Sequence, residues 1–150
     1  MAVRELHTEI EIAASASTVW KHLVDFSRYP EWNPFVRSIV GEARQGARLK
    51  VSVSPPGGRG MTFRPVLLAL LPEKELRWLG RLLLPGLFDG EHRFAIEPLS
   101  EGRVRFVHAE RFAGILVGLL WKTMEEDTRR GFEAMNDALK QVAEESAKPL

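Results

Sequence analysis

The sequence predicts an α+β protein in which an antiparallel sheet is covered by a long C-terminal helix. Three observations lead there. Several stretches alternate apolar and polar residues with a period of two, the mark of half-buried strands. The breaks between them are short and rich in proline and glycine, the length of hairpin connections, which makes the sheet antiparallel. Finally, residues 115–144 contain no proline and carry apolar side chains at spacings of three, four and seven, the signature of an amphipathic helix with one docked face.

The elements follow in order. Residues 4–12 alternate Leu6, Thr8, Ile10 and Ile12 against His7, Glu9 and Glu11, so the first set faces inward. A short helix fits Ser17 to Phe26, capped by Ser15 or Ser17 and apolar along Val19, Trp20, Leu23 and Val24. The next segment, Phe26 to Phe35, holds aromatic residues at 26, 29, 32 and 35 and prolines at 30 and 34. The prolines forbid a long regular element, and a helical or 3₁₀ turn would gather the rings on one side. Strands are then expected over 36–41, 48–54, 61–70, 75–83, 88–97 and 103–112, giving six or seven in all. The Pro55-Pro-Gly-Gly-Arg-Gly60 turn folds one strand back on the next. The tail from Glu145 to Leu150 is expected to fray.

Composition narrows the function. The 150 residues suit one domain, 1–150, large enough to bury a core without a metal or disulfide. With no cysteine, disulfides, thiolate metal sites and cysteine nucleophiles are excluded. The 21 basic and 20 acidic residues nearly cancel, so no charge argument points to nucleic acid. The apolar runs Val66–Leu71 and Ile115–Trp121 are far shorter than the roughly 20 residues of a membrane span, and acidic residues occupy the place of a signal peptide's apolar run. A cytoplasmic protein is the expectation. The four histidines, at 7, 22, 92 and 108, form no HExxH, and no redox-cofactor or phosphate-loop motif is present. Neither a metal nor a cofactor is expected.

Two segments carry a resemblance. Ser15-Ala-Ser17-Thr-Val-Trp20 and then Asp25-Phe26-Ser-Arg-Tyr29-Pro30-Glu-Trp32-Asn33-Pro34 resemble the opening of the polyketide cyclase/dehydrase and lipid-transport group within the START-like, SRPBCC or Bet v 1-like superfamily. The stretches Gly86–His92, Glu110–Gly114 and Arg129–Asn136 are similar to a bacterial branch of it. The resemblance implies a helix-grip fold, a curved sheet wrapped around the C-terminal helix, with two short helices after the first strand. It also implies an elongated apolar cavity that takes a lipid, polyketide or aromatic molecule. The family label does not establish catalysis, because one fold hosts many chemistries.

Strand parity selects the candidate site. Phe63, Trp78, Phe94 and Phe106 are large apolar residues suited to line a cavity or fill a core, with Leu120 and Met124 on the helix stripe facing them. Tyr29 and Trp32 belong to the aromatic connector, Trp32 as a possible rim of the cavity mouth. His92, His108 and Glu110 share parity with apolar neighbours and therefore point inward. An inward His–Glu pair has the composition of a general acid/base, so His108 and Glu110 are the candidates for catalysis and His92 for ligand contact. A β-bulge would reverse their faces. Glu91 and Arg111 have the opposite parity and suit an outer ion pair. Three functions are open: binding of a small hydrophobic molecule, cyclase/dehydratase chemistry in the same cavity, and a protein-interaction module without ligand. An internal void separates the first two from the third, which would instead show a broad exposed apolar patch.

Overall fold

The computed structural model describes residues 2–82 and 84–148. The expected strand end at Leu83 and tail residues 149 and 150 lie outside this range. Eight strands and a long helix appear in the order β1 (Ala2–Ile12), α1 (Ala16–Val24), a 3₁₀ turn (Phe26–Arg28), α2 (Tyr29–Trp32), β2 (Val36–Val40), β3 (Lys50–Val53), β4 (Met61–Phe63), β5 (Val66–Leu71), β6 (Glu75–Leu82), β7 (Phe88–Ser100), β8 (Arg103–Gly114) and α3 (Val117–Ala147). The architecture is α+β, with two short helices after the first strand.

Five strands form one antiparallel sheet in the order β1-β8-β7-β6-β5, and β2-β3-β4 form a second. The expected strand over 61–70 is two strands, because Arg64-Pro65 interrupts it and proline offers no amide to a ladder. Residues 46–49 join the sheets: the Gly46 and Leu67 amides donate to the Leu67 and Ala47 carbonyls, and the Leu49 amide to that of Pro65, each at 2.8 Å. The two sheets thus continue into one curved surface around α3.

Ser15 caps α1, its hydroxyl accepting from the Thr18 amide at 3.1 Å, while Ser17 lies inside the helix. At the other end α3 continues to Ala147, and Ser146 hydrogen-bonds His22 at 2.9 Å.

The core between sheet and helix is filled by Leu6, Tyr29, Trp78, Phe94, Phe106 and Phe132, all essentially inaccessible. Each such aromatic or leucine contributes about 1.5–3 kcal/mol by leaving water. The long helix docks unevenly. Its C-terminal half buries Gly131, Phe132, Met135, Asn136, Leu139 and Ala143, whereas between Gly118 and Arg130 no residue is fully buried. At Gly131 the approach is so close that a Cβ would collide with the Phe35 ring.

Candidate functional site

β7 and β8 pair without a shift from Asp89↔Ala113 to Pro98↔Val104, so the inward parity holds along the whole stretch. Successive inward rungs read Phe94–His108, His92–Glu110 and Gly90–Phe112. Gly90 also faces Gly80 across β6. These two glycines leave the sheet without side chains beside Phe112. Under the loosely docked half of α3, that gap is a half-open cavity of about 120 Å³. Its walls are mainly apolar: Phe35 and Val53, Phe63, Phe88 and Phe112, and Met124 from α3. A cavity of roughly 150 Å³ holds benzene, so this one seats a single ring with part of it at the mouth. It is shorter than the elongated cavity the resemblance implied, because Trp78, Phe94, Phe106 and Phe132 occupy the rest of the interior.

One wall is polar. Glu110 and His92 both line the cavity, with Glu110 Oε1 3.2 Å from His92 Nδ1. His92 Nε2 stands 2.7 Å from His108 Nε2, and His108 Nδ1 2.9 Å from Asn136 Oδ1. Asn136 Nδ2 donates to the Thr8 hydroxyl at 2.9 Å, which donates to the His108 carbonyl at 2.8 Å. The chain of contacts therefore runs from the cavity to the far strand β1. Both imidazoles sit among rings: His108 stacks on Phe132 with centroids 4.0 Å apart, and His92 packs on Phe94 at 4.6 Å and Trp78 at 5.1 Å. Burial holds the His108 imidazole well below its ordinary range, and a charge on the neighbouring His92 would add to this; the hydrogen bond to the Asn136 amide oxygen opposes it. The Nε2–Nε2 separation of 2.7 Å is too short for both nitrogens to hold one tetrahedral zinc, whose bonds of roughly 2.0–2.1 Å would set them more than about 3 Å apart. Among the described residues no group of three or more side chains is arranged to hold a metal.

The candidate residues separate into groups. Phe63, His92, Glu110 and Met124 come together on the cavity wall. His108 lies one rung deeper, fully buried, and reaches Glu110 only through His92. Trp78, Phe94 and Phe106 are in the packed core. Tyr29 is also fully buried; its hydroxyl donates to the Leu23 carbonyl at 2.6 Å, and burial pushes its ionisation far up. Trp32 leans on Tyr29 with centroids 5.1 Å apart, and its buried indole N–H has no partner among the described residues. Leu120 is half-buried and lies outside the cavity lining. Glu91 is on the outer face as its parity required, but it bonds Arg77 at 2.7 Å rather than Arg111. The guanidinium of Arg77 reaches it diagonally from β6. Sequence reasoning passed over Thr8, Asn136 and the two glycines as site residues. The available signal for Asn136 was a lone amide on the apolar stripe of α3, between Phe132 and Leu139.

The sequence profile of the family described as polyketide cyclase/dehydrase and lipid transport matches residues 4–144. The chain belongs to that family. Solved structures of low identity show the same fold in this cyclase/dehydrase family member. The Zhui aromatase/cyclase from Streptomyces sp. R1128 aligns with a TM-score of 0.76 at 20% identity, over 98% of this chain and 97% of that one. A norcoclaurine synthase point mutant from Thalictrum flavum, in complex with a transition-state analogue, aligns at 0.75 and 17% identity, over 98% of each chain. A START superfamily protein from Mycobacterium smegmatis aligns at 0.65 and 21%, over 92% of this chain and 98% of that one. No curated protein sequence matches. The family member has the helix-grip fold, and among its described residues no helix is long and apolar enough to cross a membrane.

Proposed function

We propose that this family member binds a small, mainly apolar molecule, with one ring seated between the Gly80–Gly90 floor and Met124 of α3. The observation that supports this reading is the cavity itself: an apolar slot of ring size with one polar wall. Binding sites for small molecules have this make-up, with burial giving affinity and a few polar groups giving orientation. The aromatase/cyclase and norcoclaurine synthase neighbours, whose names are those of enzymes, agree with a ligand of this kind.

A second reading is proton transfer on the bound molecule, with Glu110 at the cavity and His108 behind it. The observation that favours it is the His92–Glu110 contact on the wall, which links Glu110 to His108. The interaction-module reading is the weakest of the three, since it expects no internal void.

Titration with toluene, followed through the Met124 methyl resonance, tests the binding reading. A saturable shift is expected, lost in Gly90→Ala, where the new methyl would run into the Glu110 carboxylate. No saturation in the native protein would overturn it.

A further inference from the structure

The buried contacts have a direction. The Thr8 hydroxyl has one proton, and its oxygen touches two groups. It donates to the main-chain oxygen of His108, which can only accept. Its own oxygen then accepts from Asn136, which turns the amide nitrogen towards Thr8 and the amide oxygen towards His108. Reversing the amide would set two acceptors against a single hydroxyl proton. His108 therefore carries its proton on Nδ1.

The rest follows by counting protons. A neutral His108 protonated on Nδ1 has a bare Nε2. His92 Nε2, 2.7 Å away, must donate to it. The one proton of a neutral His92 is then committed, and Nδ1 faces Glu110 Oε1 at 3.2 Å. The second carboxyl oxygen, Oε2, is turned towards Gly90 on the cavity floor, where it can accept from a bound ring.

We propose that Thr8 and Asn136 are positioning residues that fix this direction, that Glu110 Oε2 presents an acceptor to the cavity, and that the ligand is a ring bearing a hydroxyl or N–H donor. This rests on the binding reading above. Apolar walls around one acceptor favour the neutral hydroxylated ring over the same ring as an ether, which has no proton to give, and over a carboxylated ring, whose charge would meet Glu110.

The test has two independent readouts. Long-range ¹H–¹⁵N spectra at neutral pH report which imidazole nitrogens are protonated, without any ligand. Titrations with phenol, anisole and toluene report the preference of the cavity. The expected result is His108 protonated on Nδ1 only, and phenol binding about tenfold or more tighter than anisole, the worth of a hydrogen bond to a charged group. In Thr8→Val the His108 signals should become those of mixed tautomers while phenol keeps its preference over anisole; Thr8→Ser should restore the single tautomer. A merely structural role for Thr8 would not move the tautomer signals. A native His108 protonated on Nε2 overturns the proposed direction. Anisole binding as tightly as phenol overturns the ligand class while leaving the binding reading intact. Failure of all three rings to bind overturns the binding reading and the ligand class with it, whereas the tautomer result still decides the direction.

Discussion

At the scale of single residues, His108 makes a prediction through its own proton. In the folded chain burial keeps it neutral well below its ordinary value of 6.5, whereas in the unfolded chain it titrates near that value. Below about pH 6.5 the unfolded state therefore binds more protons, and stability falls as the pH drops. One such group contributes up to about 1.4 kcal/mol per pH unit across that window. Urea midpoints at pH 7.5 and 5.5 read the effect, and a flat profile would contradict a neutral buried imidazole. Parity made the inward positions of His92, His108 and Glu110 legible from sequence, since an unbroken register preserves a period of two. It did not reveal which of them meet. Neighbours two apart on one strand, such as His108 and Glu110, point the same way but sit on different rungs; the partner that bridges them came from β7. Asn136 and Thr8 lie 128 positions apart in the chain, and no local pattern links them.

At the scale of elements, α3 was legible as one amphipathic helix, but not as two differently docked halves. The stripe loosens near Asp127 and Thr128, and that is where full burial stops. Gly131 marks the start of the tight half. Gly131→Ala sets two effects against each other. Alanine favours a helix by about 1 kcal/mol over glycine. The added methyl, however, would overlap Phe35, which is 4% exposed and packed on Phe132 with ring centroids 5.6 Å apart. Overpacking at such a point costs about 1–3 kcal/mol, so packing wins and the variant should be less stable by about 1 kcal/mol, as read by urea denaturation. A more stable variant would show that Phe35 yields. The split between β4 and β5 was hidden for a different reason. Met61–Phe63 leads within three residues into the apolar run that begins at Val66, so the two read as one strand, and the missing amide of Pro65 decides only once the 46–49 segment is there to pair with it.

At the scale of the whole molecule, the curved sheet encloses a core that is solid at one end and open at the other. The fold was legible because strand order, hairpin lengths and the final helix agree with one another, and consistency across levels is what specifies a fold. The size of the opening was not, because it depends on two absent side chains and on how closely a helix settles. Amide exchange should show the asymmetry directly: residues 118–130 of α3 should exchange well ahead of 131–143, since protection follows burial and packing. Equal protection along the helix would contradict it. The same asymmetry makes α3 a lever whose fulcrum is the Gly131–Phe35 contact. Met124 stands seven residues from that fulcrum, roughly 10 Å along the axis at about 1.5 Å per residue. An angle different by about 10° there would place its side chain close to 2 Å away, by the same rise per residue. The room above the two glycines therefore depends on the angle at which this half of the helix leaves the Gly131–Phe35 contact.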